Sequence, residues 1–246
     1  MASEGSEQRS VYKLGRVAFS VENSSPTLSE ELDALIPKCQ SPATKTLNNP
    51  ETLRTLQNRI YELHDDCLWL DAGCLITPSG KSVLIIGRSG AGKSTTTMAM
   101  ALAYNCKVVA EDILLIDLKN DTLITFGAPF SLKPGTLELL RESVGKVPSP
   151  IIGGEWSPLG DMVAPRDVRA NFDVSLVFTR NYNDPKFRIT TISPAEFYRK
   201  CLPISNILRM KGAADKLLNY IGGGVCLEIE DGTVQQRVHK ILELIN

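Results

Sequence analysis

The chain has 246 residues, of which 43% are hydrophobic and 22% are charged, and its formal net charge is −1. This length suffices for one large domain with a well-buried core. A near-neutral charge disfavours a surface that attracts nucleic acid or anionic membranes over long range, so we expect neither as a partner.

The sequence indicates a single cytoplasmic domain over residues 1–246. No apolar run reaches the roughly eighteen residues that a membrane-spanning helix needs. The polar stretch MASEGSEQRS differs from a secretory or transit peptide, and we expect residues 1–10 to be disordered. The cysteines show no metal-binding spacing and lie in apolar segments, as reduced, buried thiols do. They are Cys39, Cys67, Cys74, Cys106, Cys201 and Cys226.

In the first third of the chain, the pattern predicts a strand over residues 11–20 and a short helix over residues 27–37. Asn49 and Pro50 form an N-cap and first-turn pair for a second helix. Its apolar positions at helical spacing are Leu53, Leu56 and Ile60.

The middle of the chain alternates between strands and helices. We predict strands over residues 67–76 and 82–86, with a hairpin turn between them. A helix from Ser94 follows, and then strands over residues 108–117 and 122–126.

Residues 146–167 are rich in proline and glycine, which is typical of an irregular loop or lid. A strand pair is predicted over residues 172–180 and 187–192, and Ser193 with Glu196 forms a capping box. A helix over residues 205–220, a strand over residues 225–229 and a last amphipathic helix complete the chain. The apolar face of the last helix consists of Val234, Val238, Ile241 and Ile245. The fold class is therefore α/β, with more hairpins than a parallel sheet has.

Residues 87–94, GRSGAGKS, match the phosphate-binding pattern G-x-x-x-x-G-K-[ST] between an apolar strand and a helix. Glycines let backbone N–H groups surround a phosphate, and the helix N-terminus adds its dipole. Lys93 is placed to reach the β- and γ-phosphates, and the Ser94 hydroxyl to bind Mg²⁺. The strand and helix around the pattern argue against a chance match.

An acidic pair, Glu111 and Asp112, follows unusually soon, with Asp112 only 19 residues after Lys93. The pair therefore lies on the strand directly after the loop helix, which we expect to neighbour the loop strand in the sheet. The charges interrupt an apolar run, and buried carboxylates without a cation are costly. The pair thus predicts a metal site, with a solvated strand edge as the alternative.

These segments together resemble HPr kinase/phosphorylase and its kinase-only relatives, which share a nucleotide-binding core with phosphoenolpyruvate carboxykinases. The resemblance rests on GRSGAGKSTTTMAMA, on CKVVAEDILLID and on FGAPFSLKPGTLELL. It extends to VSLVFTR and ITTISPAEFYRKCL, which are similar to relatives from peptide-maturation gene clusters, and it covers residues 10–205. It implies a P-loop-containing core with a mixed sheet and flanking helices.

The resemblance also implies roles for the site residues. Asp112 and Ser94 would be ligands of Mg²⁺, and Glu111 would be the general base that accepts the hydroxyl proton. The residues that would hold ATP are Gly87, Arg88, Ser89, Gly90, Ala91, Gly92, Lys93, Ser94 and Thr95.

The sequence departs from the family pattern in two places. Asp71 stands where the family has a histidine, and it is either a second candidate base or an acid that pairs with a basic neighbour. Glu111 stands where the family has an aspartate. The E-[IV]-R-G signature of the bifunctional enzymes is missing, which argues against HPr as the substrate and against phosphorylase activity.

Several other side chains are candidates for the site. Arg88, Lys133, Arg166 and Arg169 are cations that could contact phosphate. Trp156 is a candidate for stacking on adenine, whereas Trp69 is expected in the core. His64 and His239 have no ligand-spaced partners and are expected to be structural or solvent-facing.

The sequence as a whole predicts an ATP- and Mg²⁺-dependent kinase that transfers the γ-phosphoryl group to a hydroxyl. By resemblance the acceptor is a serine of a peptide or protein, such as a ribosomally made precursor peptide. Lys93 stabilises the phosphates, and Glu111 or Asp71 activates the acceptor. The alternatives are a kinase of a sugar, polyol or free serine, and a non-catalytic nucleotide-binding module. Assembly into a homo-oligomer is implied by the family alone.

Overall fold

The structure is a computed structural model that describes residues 10–22, 25–36, 38–48, 53–149, 151, 155–156, 158, 160–166 and 168–245. The chain divides into two compact units, residues 1–65 and residues 66–246. One folding domain over residues 1–246 stays a prediction. The expected disorder of residues 1–10 falls, except for Ser10, outside the described residues.

The secondary-structure elements are numbered in chain order. The helices are α1 (Pro26–Leu35), α2 (Leu53–Glu62), α3 (Lys93–Tyr104), α4 (Thr136–Val144), α5 (Pro194–Cys201), α6 (Ala213–Gly222) and α7 (Val234–Ile245). The strands of the first half are β1 (Val11–Leu14), β2 (Val17–Glu22), β3 (Lys45–Asn48), β4 (Leu68–Ile76), β5 (Ser82–Gly87), β6 (Lys107–Ala110) and β7 (Ile113–Asp117). The strands of the second half are β8 (Thr122–Ile124), β9 (Phe130–Ser131), β10 (Glu155–Trp156), β11 (Val168–Arg169), β12 (Val174–Thr179), β13 (Arg188–Thr191) and β14 (Val225–Glu230).

The first unit holds a three-stranded sheet in the order β1-β2-β3, together with α1 and α2. The single strand predicted over residues 11–20 is wrong, because the chain reverses between β1 and β2 at Gly15, whose φ is 54°. The Asn49–Pro50 cap lies outside the described residues, and so do the side chains of Leu53, Leu56 and Ile60.

The second unit is built on a mixed sheet that, in the described part of the chain, has nine strands. Their order is β11-β8-β7-β4-β5-β12-β14-β13, and β6 pairs with β4 beside this path. The central strand β5 is parallel to β12, which in turn is parallel to β14, whereas β4 is antiparallel to β5. The predicted mixed α/β architecture is confirmed.

Helices cover both faces of this sheet. Apolar side chains of α3, α4 and α7 pack in one hydrophobic cluster with β5 and β12, and those of α5 and α6 pack in a second cluster on the other face. The predicted capping box at the start of α5 is present, since Ser193 Oγ accepts from Glu196 N and the Glu196 carboxylate accepts from Ser193 N. No helix in the described ranges combines the length and apolarity that crossing a membrane requires.

Strand order and helix bounds differ from the predictions in four places. The strand with the acidic pair does not neighbour β5, because β4 lies between them. This strand is also split into β6 and β7. The predicted pair of residues 172–180 and 187–192 is separated by β14, and the helix predicted over residues 205–220 consists of a short 3-10 turn and α6. These features depend on pairing with distant segments, which local patterns do not record.

The two tryptophans exchange their expected environments. Trp156 is only 2% exposed and packs against the Phe130 ring, with 5.3 Å between ring centroids. The prediction that it stacks on adenine is therefore wrong. Trp69, expected in the core, is 37% exposed.

The histidines and cysteines are placed as the sequence predicts. The His64 ring is buried, with Nε2 at 3.0 Å from the Leu14 carbonyl oxygen, and the exposed His239 has its Nε2 at 3.1 Å from Glu243 Oε1. Five of the six cysteines are buried, and Cys39 is partly buried.

Candidate functional site

The glycine-rich loop (residues 87–94) joins the carboxyl end of β5 to the first turn of α3. Gly92 directly precedes α3 with a φ of 95°, a left-handed conformation that is strained for any residue with a Cβ. The N-terminal N–H groups of α3 therefore open towards the loop, in the arrangement that binds anions at helix N-termini.

Lys93 lies across this loop and has two partners of its own. Its Nζ donates to the Gly87 carbonyl oxygen at 2.6 Å and lies 3.1 Å from Asp71 Oδ1. The Lys93 side chain is only 10% exposed. Asp71 lies on β4, next to the end of β5, so the basic neighbour expected for Asp71 is the loop lysine itself.

The acidic pair occupies the break between β6 and β7. Asp112 has a φ of 70°, a left-handed conformation that aspartate tolerates better than most residues. Its carbonyl oxygen accepts from Ala72 N at 3.0 Å, which keeps the kinked segment attached to β4. The kink interrupts the alternation of side chains along the strand exactly where the two carboxylates occur.

Glu111 reaches the loop although β4 separates its strand from β5. Ser94 Oγ donates to Glu111 Oε1 at 2.7 Å, and Glu111 is only 5% exposed. The close approach of α3 to β4 makes this contact feasible: a Cβ on Gly73 of β4 would lie 2.6 Å from Thr97 Oγ1 of α3. Gly73 therefore lets the first turn of α3 come within reach of the acidic pair.

A cavity of about 250 Å³ opens over the loop. Its lining includes Asp71, Lys93, Ser94 and Asp112, so the structure brings together the residues that the sequence analysis singled out. The other residues that the sequence predicts to hold ATP lie in the same loop and in the first turn of α3. Phosphates seated on this loop would face cations and carboxylates at the same time.

Besides Lys93, three cations line this cavity: Arg88, Lys133 and Arg180. Lys133 Nζ lies 3.5 Å from Ser89 Oγ, next to the loop, so contact with a bound phosphate stays a prediction for this side chain. Arg169, by contrast, lies on the edge strand β11, and its charge acts on Asp121. Neither it nor Arg166 is among the described residues that line the cavity.

Arg180 was missed by the sequence analysis. It directly follows β12, the parallel neighbour of β5, and the carboxyl ends of neighbouring parallel strands share one edge of a sheet. A correct prediction that β12 pairs with β5 would have placed Arg180 beside the loop.

The residues present fit a magnesium ion. No group of three His, Cys, Asp or Glu side chains within the described ranges is placed to hold a metal by itself. Magnesium at nucleotide sites instead uses one or two carboxylates together with hydroxyl, phosphate and water oxygens. The Ser94 hydroxyl and the Glu111 carboxylate, which are hydrogen-bonded to each other, supply the protein's part of that donor set.

A second and larger cavity, of about 690 Å³, adjoins the loop on the β12 side. It shares Arg88, Ser89 and Arg180 with the smaller cavity. Its other lining is mainly apolar and includes Ile86, Val177, Phe178, Pro203 and Ile204. No carboxylate occurs among its described lining residues, so the two cavities differ in chemistry.

Arg237 of α7 also contacts the loop, and the sequence pattern did not indicate it as a site residue. Its guanidinium is 2% exposed and donates through Nη1 to the Ala91 carbonyl oxygen. Burial, with the nearby charge of Arg180, lowers the pKa of Arg237 to about 10, so it stays charged at neutral pH. The sequence pattern had marked only the apolar face of α7.

The fold and site define a mixed α/β protein whose glycine-rich loop faces an acidic pair. Neither a protein-family model nor a curated protein matches the chain. Among solved structures, the chain is similar to the Hpr(Ser) kinase/phosphatase from Coxiella burnetii, with a TM-score of 0.31 and 16% identity over 72% of this chain and 93% of that chain. This likeness is a distant one.

Proposed function

We propose that the chain is an ATP-dependent kinase that transfers the γ-phosphoryl group to a hydroxyl acceptor. The observation that carries the proposal is the hydrogen bond from Ser94 Oγ to Glu111 Oε1, formed beside Lys93 at the mouth of the glycine-rich loop. A phosphate loop alone implies only nucleotide binding. A carboxylate that touches the loop serine adds the means to hold a divalent cation against the phosphates.

Lys93 and the backbone N–H groups of the loop bind the β- and γ-phosphates in this proposal. Lys93 exchanges its present partners, the Gly87 carbonyl and Asp71, for phosphate oxygens. Bound Mg²⁺ supplies neutralisation of the phosphate charge as the γ-phosphoryl group is transferred. Arg180 and Lys133 flank the same cavity and stabilise the remaining negative charge.

The geometry favours a different division of roles from the one that family resemblance implies. Glu111 is buried against Ser94, so we assign it to the metal side of the site. Asp71 and Asp112 line the cavity, and we assign to them the task of accepting the acceptor's proton, with Asp112 as the principal base. Asp71 is paired with Lys93 until phosphate arrives.

The two cavities divide the substrates between them. A hydroxyl acceptor needs a general base for its proton. Of these two cavities, only the smaller has carboxylates among its described lining residues, so the acceptor approaches there. The larger cavity is apolar, with cations near the loop, which suits a nucleoside that continues from loop-bound phosphates. An acceptor serine of a peptide or protein is the simplest occupant, with a small hydroxyl compound as the alternative.

Transfer of labelled phosphate tests the proposal directly. We expect the chain to move label from γ-³²P-ATP to a hydroxyl acceptor in a Mg²⁺-dependent reaction. The acceptors offered would be serine-containing peptides, free serine, a sugar and a polyol, with the matching alanine peptides as controls. Tight Mg²⁺-dependent ATP binding without transfer to any acceptor would instead identify a non-catalytic nucleotide-binding module.

Filling the larger cavity tests its assignment. We expect Ile204→Trp to weaken ATP binding about tenfold, because the added ring occupies space that the nucleoside needs. Inorganic tripolyphosphate should bind as in the wild type, since it uses only the loop. Calorimetry with both ligands checks this, and Leu208→Trp at an 81% exposed position is the control. Unchanged ATP affinity combined with a raised acceptor KM would assign the cavity to the acceptor.

A further inference from the structure

We infer that Arg237 is a positioning residue for phosphate binding: its guanidinium holds the Ala91–Gly92 peptide so that the Gly92 N–H faces the phosphate cavity. The inference rests on the proposed nucleotide binding and extends it to α7, the helix at the far end of the chain from the loop. Three structural features carry it.

The first feature is how fully the guanidinium is held. Nε and Nη2 donate to the Asp231 carbonyl oxygen at 2.9 and 2.8 Å, while Nη1 donates to the Ala91 carbonyl oxygen. The Phe178 ring lies against it, with 4.6 Å from Cζ to the ring centroid. These partners are two backbone carbonyls and an aromatic face, which fix the position of the group. Among the described residues, no carboxylate lies within ion-pair distance of it, although the charge of Asp231 acts on it.

The second feature is the direction of the peptide between Ala91 and Gly92. A trans peptide is planar, and its C=O and N–H point in opposite directions. Because the Ala91 carbonyl points at Arg237, the Gly92 N–H points the other way. Gly92 lines the smaller cavity together with Lys93 and Ser94, so this N–H is aimed at the space where phosphate binds.

The third feature is steric. A Cβ on Gly92 would lie 2.2 Å from Arg237 Nη1, so the guanidinium occupies the volume that a side chain at residue 92 would take. The left-handed conformation of Gly92 and the position of Arg237 therefore depend on each other. The buried positive charge of Arg237 also makes the electrostatic potential at the loop more positive, which favours the binding of phosphate.

Arg237→Met removes the donor while keeping an apolar side chain of similar length. We expect its Kd for both ATP·Mg²⁺ and inorganic tripolyphosphate to rise about tenfold, since the loop N–H groups lose their orientation. Arg237→Lys keeps the charge without the planar fork and should recover only part of the affinity. If Arg237→Met does not fold, the Kd values of Arg237→Lys are compared with those of the wild type instead.

Val238→Ala, a buried change on the same helix, is the matched control. It should lower the Tm as a merely structural defect does, while leaving Kd within about twofold of the wild type. Equal Kd values for the Arg237 variants and for Val238→Ala would overturn the inference. So would a loss of ATP binding that spares tripolyphosphate, because that pattern places the defect in the nucleoside site.

Thermal unfolding without any nucleotide separates this inference from the proposed function. Gly92→Ala should lower the Tm more in the wild type than in the Arg237→Met background, because the clash with Nη1 is absent there. If the wild-type protein binds neither ATP nor tripolyphosphate, the proposed function is refuted. The Tm coupling between Gly92→Ala and Arg237→Met would still show the contact between Arg237 and the loop. Equal Tm losses in the two backgrounds would refute the contact between Arg237 and the loop.

Discussion

Lys93→Met is expected to reduce phosphoryl transfer on the order of a hundred- to a thousandfold, because it removes the cation aimed at the transferring phosphate. The same change leaves Asp71 Oδ1, which now lies 3.1 Å from Lys93 Nζ, without its partner. Removing the largely buried Lys93 ammonium leaves the Asp71 charge uncompensated in a partly buried pair, so the Tm should fall as well. Initial rates with γ-³²P-ATP and thermal unfolding measure the two effects separately.

Two further variants separate the catalytic effect from the loss of stability. Lys93→Met combined with Asp71→Asn removes the unpaired charge, so it should recover part of the Tm but none of the activity. Lys133→Met alters an exposed lysine at the rim of the same cavity and should cost far less activity. A Lys93→Met protein with more than about a tenth of the wild-type rate would contradict the role given to Lys93.

The loop and its immediate flanks are the part of the molecule that the sequence predicts best. A buried strand, a glycine pattern and the helix that follows it are set by local composition. β5 covers the predicted strand, and α3 begins at Lys93, one residue before the predicted start at Ser94. The spacing of Glu111 and Asp112 correctly places them after α3, although they lie in the break between β6 and β7 and not on one continuous strand. In these cases the residues that determine the structure are close neighbours along the chain.

Features formed by distant segments were not predictable in this way. β4 lies between the loop strand and the acidic strand, and only the close packing at Gly73 brings Ser94 to Glu111. The insertion of β14 beside β12 leaves no trace in the local pattern of residues 172–192. Arg180 and Arg237 likewise enter the site through strand order and helix packing, about which single-residue patterns say nothing.

The left-handed Asp112 explains why the sequence could name the acidic pair but not divide its roles. On a regular strand, consecutive side chains point to opposite faces, so only one of the two acids would face the loop. The kink between β6 and β7 removes that constraint. Glu111 binds Ser94 while Asp112 still lines the cavity. The division of roles then depends on which carboxylate touches the loop serine.

Glu111→Gln and Asp112→Asn each neutralise one carboxylate at nearly constant size. We expect the first to impair Mg²⁺-dependent binding and the second to impair kcat. Glu111→Gln should raise the Mg²⁺ concentration needed for half-maximal activity and weaken Mg²⁺-dependent ATP binding, because the amide is a poorer partner for a cation. Asp112→Asn should leave ATP·Mg²⁺ binding nearly intact and lower kcat about a hundredfold or more, as the loss of a general base does. Titrations of Mg²⁺ and ATP with each variant measure both quantities.

The opposite pattern, in which Asp112→Asn abolishes metal-dependent binding and Glu111→Gln only lowers kcat, would return the base to Glu111 as family resemblance implies. The contact between Ser94 and Glu111 favours the first outcome, because a carboxylate buried against the loop serine is placed to act on the metal before any acceptor arrives.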